Sequence, residues 1–383
     1  MGVAICLDVE TTTRNKGNVY DPRNKLCSLV IKVISETSCD TYSFSAPWDV
    51  GRINELLNLS TLIIGFNLKF DLAWLRHEFG FLLVLPNRCY DCQYAEFLFS
   101  NQTWKYPDLE TSCKQRGLGE KFDFIKENYW NKGIDTDQIP IEELLTYNVQ
   151  DVEITYQLYL EQMKLFQGEQ ASKYRLFRLH MLDLPVLLDM EWNGLLYNKE
   201  KSLAKSHELQ KQIDKLESEL NELAGMQINW GSGDERSAFL YGGTVTREHR
   251  VPVGVYKTGA KTGQTRFRIV KDTTQFERRI EPLKGTEYAK GGVWSTDEPT
   301  LRSLKTNKLN QKILNWILER AKLEKLRGTY LEGLPKKMED MGWGDYLHPS
   351  YNQCVAVTGR IASSNPNGQN LAPLAKQLIE SRF

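Results

Sequence analysis

Three pairs of polar side chains stand out for their spacing. Asp8 and Glu10 lie two apart at the end of the apolar stretch "VAICLDVE", and on a strand that spacing points both carboxylates to one face. Asn67 and Asp71 are four apart in "TLIIGFNLKFDLAWLRHEF", as are Tyr147 and Asp151 in "IEELLTYNVQDVEITYQLYL"; on a helix each pair shares a face. Asp71 falls among Phe66, Leu68, Phe70, Leu72, Trp74 and Leu75, where a carboxylate needs a partner. Like charges held together at a strand end are costly unless a cation neutralises them. Converging carboxylates from the three segments would hold two divalent ions about 3.5–4 Å apart, the arrangement that stabilises attacking and leaving oxygens in phosphodiester cleavage. Magnesium suits such hard oxygen ligands, with manganese as the alternative ion. The Tyr147 hydroxyl, one turn from Asp151, is placed to position the attacking water.

The elements that must carry these groups follow from the pattern. Val3 to Val9 reads as a buried central strand with Glu10 just beyond it. Leu62 to Ile64 reads as a second apolar strand, followed by a glycine turn and a helix. The third segment reads as a helix buried along Leu144, Leu145, Ile154 and Leu158. The fold class is therefore α/β at the N-terminus. At 383 residues, two or three domains are expected. No run of eighteen apolar residues occurs, so nothing is expected to span a membrane, and "MGVAICLDVE" has no basic segment ahead of an apolar stretch as a secretion signal would. Seven scattered cysteines suit a reduced, cytoplasmic setting. Cys89 and Cys92 form a CxxC with no second pair at zinc spacing.

The formal net charge is zero, 49 against 49, which excludes a general polyanion binder. Between Gly242 and Gly291, however, eleven Lys or Arg face five Asp or Glu, an excess of six that suits either nucleic acid or a solvated loop. On either side of that stretch lie helices. Arg178 to Asn198 reads as a helix stopped at Gly194. Leu209, Ile213, Leu216, Leu220 and Leu223 then make a narrow seam ending at Gly225, expected to pair within the chain with the amphipathic segment "NQKILNWILERAKLEKLRGTYLEGLPKKM". Near the C-terminus, "TGRIASSNPNGQNLAP" offers many hydrogen-bond donors on an easily bent backbone, as a grip on a phosphodiester strand requires.

"LDVET", "GFNLKFD" and "YNVQD" resemble the three exonuclease motifs of the DEDDy proofreading exonucleases attached to family A DNA polymerases. The resemblance implies Asp8, Glu10, Asp71 and Asp151 as metal ligands and Tyr147 as the hydroxyl that orients water. Asn67 would help to hold the strand or its site. It also implies a ribonuclease H-like fold, a mixed sheet flanked by helices. "YDCQYAEFLF" and "YPDLETSCKQRGLG" are similar to the connecting segments of that family, which gives Asp91 a structural role. The helical seam and its partner resemble the polymerase thumb, with Lys325, Arg327, Thr329 and Tyr330 in its "KLxxTY" stretch. "LHPSYNQCVAVTGRIASSNPNGQN" resembles the start of the palm, which assigns DNA contacts to Arg360, Asn367, Gln369 and Asn370, with His348 and Gln353 as further candidates. Ala362, Gly368 and the longer "NLAP" ending depart from the family pattern.

The implied organisation is an exonuclease domain over residues 1–170, a linker helix and thumb over 171–345 with an insertion at about 242–291, and the start of a palm over 346–383. After Tyr346 the sole acid is Glu380, and two-metal nucleotidyl transfer needs more than one carboxylate. The expectation is a 3′–5′ DNA exonuclease acting on a single-stranded 3′ end and a primer–template. It would be the N-terminal half of a split or interrupted bacteriophage polymerase, unable to polymerise alone and joined by a second polypeptide carrying palm and fingers. A processivity factor at the insertion is a further expected partner. A truncated fragment of a full-length polymerase, a DNA-binding scaffold with a vestigial nuclease site, and an RNA-trimming nuclease are the alternatives. Leu371, Leu374, Leu378, Ile379 and Phe383 are expected to present an apolar face to the partner chain.

Overall fold

The computed structural model describes residues 2–82, 88–118 and 124–381. The chain forms two compact units, one built from the chain up to Asn198 together with its return from Leu334, the other spanning Lys199–Gly333.

The first unit is organised by strands β1 (Val3–Thr11), β2 (Leu26–Ile34) and β3 (Cys39–Phe44), then helix α1 (Val50–Leu59), β4 (Ser60–Gly65), α2 (Leu68–Phe79) and β5 (Cys89–Asp91). Helices α3 (Cys92–Phe99), α4 (Leu109–Gln115), α5 (Phe124–Asn128), α6 (Ile141–Gln167) and α7 (Ala171–Asn193) follow, then the short strand β6 (Leu195–Leu196). The sheet runs β3-β2-β1-β4-β5, with β1 antiparallel to β2 and parallel to β4, and β4 parallel to β5. It is the mixed sheet flanked by helices that the motifs imply. Ile5, Cys6 and Leu7 are wholly buried, as an unbroken apolar run in a central strand requires. β1 extends past the expected end at Val9, because β2 continues to offer ladder partners to Glu10 and, across a bulge, to Thr11. The core joins these strands to Trp74, Tyr94, Phe97, Phe177 and Cys354.

The second unit holds α8 (Lys199–Ala224), α9 (Gly233–Tyr241), the long strands β7 (Gly243–Val255) and β8 (Thr265–Phe276), α10 (Glu298–Ser303) and α11 (Lys308–Lys325), which runs on into a π-helical turn, Leu326–Glu332. α8 and α11 pack together within the chain. Leu220 shares a core with Ile313, Leu314 and Ile317, and Arg320 reaches Glu217 at 2.8 Å. The basic stretch, read from sequence as possible solvated loop, is largely an antiparallel hairpin of β7 and β8.

The chain returns to the first unit through α12 (Gly333–Asp340), β9 (Tyr346–Leu347), β10 (Ser350–Asn352), β11 (Ala362–Ser364) and α13 (Pro373–Lys376). β9 pairs with β6, and β10 with β11. One expectation is corrected here. Leu371 and Leu378 are buried within the chain itself, and Ile379 bridges to Tyr197. The Asn198 and Glu380 N–H groups donate to the carbonyls of Leu378 and Leu196 at 2.9 and 3.0 Å. Those backbone bonds fold the tail onto its own unit, so Leu371 and Leu378 do not await a partner; Leu374 and Ile379 are half-buried, and Phe383 lies outside the described residues.

Candidate active site

The position of the acidic cluster follows from the ladder. β1 pairs with β4 up to Cys6, while on its other flank β2 continues opposite Asp8 (Val30) and Glu10 (Ser28). Both carboxylates thus sit where one flank of β1 has opened, at the carboxyl end of the strand, where open α/β sheets place their sites. Helix α6 is fastened across this end by side chains. Asn148 donates to Ser28 Oγ at 2.9 Å, Lys32 pairs with Glu153, and the Cys6 thiol meets the Val152 carbonyl at 3.5 Å. Asp151 is thereby carried to β1. Carboxylate oxygens of Asp8, Glu10 and Asp151 lie within 4.8 Å of one another.

Asp71 arrives from the first turns of α2. The N-terminus of that helix is held by Asp91, which accepts from the N–H groups of Asn67 and Leu68 at 3.0 and 3.2 Å while also capping α3 through Gln93 N–H at 2.9 Å. Asn67 adopts a left-handed backbone, φ 60°, which asparagine tolerates better than most residues. Asp71 is 2% exposed. Its Oδ1 accepts from Val9 N–H at 3.3 Å, and its Oδ2 is buried with no hydrogen-bond partner among the described residues. Burial, then the neighbouring Asp8 charge, pushes this carboxyl well above the ordinary carboxylate range. A buried oxygen without a donor, beside three clustered carboxylates, is a donor set suited to divalent cations.

Tyr147 stands one turn before Asp151 on α6, 6% exposed, with Trp130 edge-on to its ring at 5.8 Å and Ile125, Ile139 and Leu144 around it. The Trp130 indole N–H is in turn held by Thr136 Oγ1 at 3.1 Å. Sequence reasoning singled out the four candidate ligand acids and the tyrosine but missed the fasteners Asn148 and Trp130, whose side chains carry no spacing signal. It also missed Lys69 and Glu191. Glu191 is buried on α7, pairs with the Lys69 ammonium and accepts from Tyr351 N–H, while Lys69 also donates to the Tyr351 carbonyl. These groups, with Asn67, Phe70, Asn352 and Asn365, border a cleft of about 520 Å³.

The remaining sequence candidates lie outside the acidic cluster. Arg360, Asn367, Gln369 and Asn370 are exposed on the turns flanking β11, and Lys325 is exposed at the end of α11 in the other unit. His348 stacks on Tyr20 at 4.6 Å with its Nδ1 2.7 Å from the Glu191 carbonyl, and the Gln353 amide donates to the His180 carbonyl at 2.9 Å; both are engaged in internal packing.

Comparison with known proteins agrees with this geometry. Residues 2–166 match the family described as 3′–5′ exonuclease, and residues 273–382 match DNA polymerase family A. DNA polymerase I of Pseudomonas aeruginosa is 28% identical over 240 residues, 63% of this chain and 22% of that protein. The Synechocystis DNA polymerase I is 26% identical over 313 residues, covering 80% of this chain and 26% of the relative. The thermostable enzyme of Thermus filiformis is 29% identical over half of this chain and 19% of its own length. The chain thus spans about a fifth to a quarter of these curated relatives. Among solved structures, the POL domain of Pol1 from M. smegmatis, in complex with DNA primer-template and dNTP, shares the fold at a TM-score of 0.61 and 16% identity, over 98% of this chain and 54% of that one. Through its 3′–5′ exonuclease domain and a part of the polymerase domain, the chain belongs to the DNA polymerases of family A.

Proposed function

We propose that this chain shortens DNA from its 3′ end by hydrolysis, as the proofreading nuclease of a family A polymerase. Asp8, Glu10, Asp71 and Asp151 hold two divalent ions, magnesium or, alternatively, manganese. Bound there, the ions supply positive charge to the attacking and leaving oxygens. Tyr147 orients the attacking water. The water oxygen loses a proton and bonds to the phosphorus of the terminal phosphodiester, the bond to the 3′ oxygen breaks, and that oxygen takes up a proton from solvent to leave as a new 3′-hydroxyl beside a nucleoside 5′-monophosphate. The observation that carries this reading is the convergence of Asp8, Glu10 and Asp151 within 4.8 Å beside the buried Asp71 Oδ2, which has no hydrogen-bond partner among the described residues.

The exposed Arg360, Asn367, Gln369 and Asn370, with Lys325 on the second unit, serve as contacts to primer–template, and Asn67 steadies the single-stranded end. The solved M. smegmatis domain, captured with primer-template, supports DNA as the ligand. For nucleotide addition, we propose that the palm and fingers are contributed by a second polypeptide in a bacteriophage replication system.

The test uses 5′-labelled primer–template with magnesium, with and without the four deoxynucleotides. Stepwise shortening from the 3′ end, abolished by Asp8→Ala while DNA binding persists, supports the reading. No shortening by the parent selects a DNA-binding scaffold with a vestigial site, and extension overturns the assignment of the palm to a partner.

A further inference from the structure

The β7–β8 hairpin is a ribbon of two strands and no more, paired from Gly243 opposite Phe276 to Val255 opposite Thr265. At roughly 3.3 Å per residue it is about 40 Å long. Among the described residues its base is the part anchored in a core, where Val245 and Phe276 enter that of the second unit. A two-stranded ribbon with neither face covered is marginal in water, so its outer half has the character of a surface made for a ligand.

The charges are sorted along its length. Near the base Arg247 pairs with Glu235 of α9, Lys271 with Glu248 at 2.6 Å and His249 with Asp272 at 3.2 Å. Both acids of the ribbon are thus engaged there. The outer half carries Arg250, Lys257, Lys261, Arg266 and Arg268, all exposed and in no ion pair among the described residues. The register sets Phe267 opposite Pro252 and Ile269 opposite Arg250 on one face, and Arg268 opposite Val251 on the other. Phe267 and Ile269 are more than half exposed.

We propose that this ribbon is a duplex-DNA-binding arm. A two-stranded ribbon fits the major groove of B-form DNA, about 12 Å wide. The five outer cations neutralise phosphates along the groove edges, and Pro252, Phe267 and Ile269 turn towards thymine methyls on its floor. The charge complementarity favours a polyanion over a protein partner, and the contact needs neither the nuclease carboxylates nor a 3′ end.

The experiment is fluorescence anisotropy of a labelled blunt duplex with the full 383-residue chain in EDTA, across a sodium chloride series. The variant K257S/K261S/R266S/R268S alters only exposed side chains, and its thermal melt is compared with that of the parent. Loss of four phosphate contacts flattens the slope of log affinity against log salt by up to about 3.6, at about 0.9 per contact, with a fall in affinity of tenfold or more at low salt. The separate variant F267S/I269S weakens binding with the salt slope unchanged. A quadruple variant with the parent's slope and affinity overturns the proposal, including the case in which the ribbon docks a protein such as a processivity factor. Because EDTA silences any metal-dependent cleavage, failure of the nuclease reading leaves this measurement intact.

Discussion

Substituting Asp8 by asparagine should make the protein more stable and less useful. Oxygens of Asp8, Glu10 and Asp151 lie within 4.8 Å of one another. Two unit charges at that separation repel by about 3.5 kcal/mol at an effective dielectric of 20 and by about 0.9 kcal/mol in bulk water. Asp8 and Glu10 are only half-buried, which places the relief near the lower figure, about 1 kcal/mol. In EDTA, Asp8→Asn is therefore expected to raise the melting temperature of the first unit by roughly 2–4 °C. Magnesium should reverse the order. A ligand that binds only the folded state stabilises it by about 2.7 kcal/mol at a hundredfold excess over its Kd, and the parent, with all its ligands, gains more than the variant. Circular dichroism melts of both proteins, in EDTA and over a magnesium titration, read the two effects separately. Equal magnesium shifts in parent and variant, or a variant less stable in EDTA, would refute the claim that these carboxylates are held against their own repulsion for a cation.

Tyr147→Phe keeps the ring against Trp130 but removes the hydroxyl; nuclease turnover should fall by about 10²-fold or more with DNA affinity retained, and an unchanged rate removes Tyr147 from the chemistry. Glu191→Ala strands the part-buried Lys69 ammonium and should cost up to about 3–5 kcal/mol in urea unfolding, whereas Lys69→Met with Glu191→Leu should recover much of that loss; a double variant as unstable as the single contradicts the pairing. Asp91 predicts a pH dependence. Burial raises its carboxyl to about 6 despite the N–H donors of Gln93, Asn67 and Leu68, so the folded chain holds this proton more tightly than the unfolded one. Its contribution is full below the unfolded value of about 4 and is lost as pH rises through about 6. Asp91→Asn should erase that decline in stability between the two values, which a set of denaturation curves across the range will show.

The candidate acidic site was legible because strands and helices have fixed periods. A spacing of two at Asp8 and Glu10, and of four at Tyr147 and Asp151, states which side chains share a face before any contact is known. An acid in an apolar run, as at Asp71, is conspicuous for the same reason. What fastens those faces together was not legible. Asn148 bonding Ser28, 120 residues away, and Lys69 meeting Glu191 at 122 are long-range meetings of ordinary polar side chains. The hairpin of β7 and β8 was obscured by its own composition. Its strands are exposed on both faces, so charge and threonine displace the apolar alternation that marks a half-buried strand. The C-terminal tail misled in the opposite direction, since Leu371 and Leu378 announce burial without saying whose surface covers them.

The route of the chain also sets an order in time. Glu191 takes its Tyr351 N–H donor from 160 residues later in the chain, and Cys354 completes the core begun by Ile5. At ribosomal speeds of about 5–20 residues per second, the nascent chain waits roughly 8–32 s between those two partners. The second unit, Lys199–Gly333, is contiguous and emerges whole within that interval. Synthesis therefore finishes the middle of the molecule before its beginning. In the folded chain the Lys69 ammonium pairs with Glu191, and both of these partners precede the Tyr351 donor in order of synthesis.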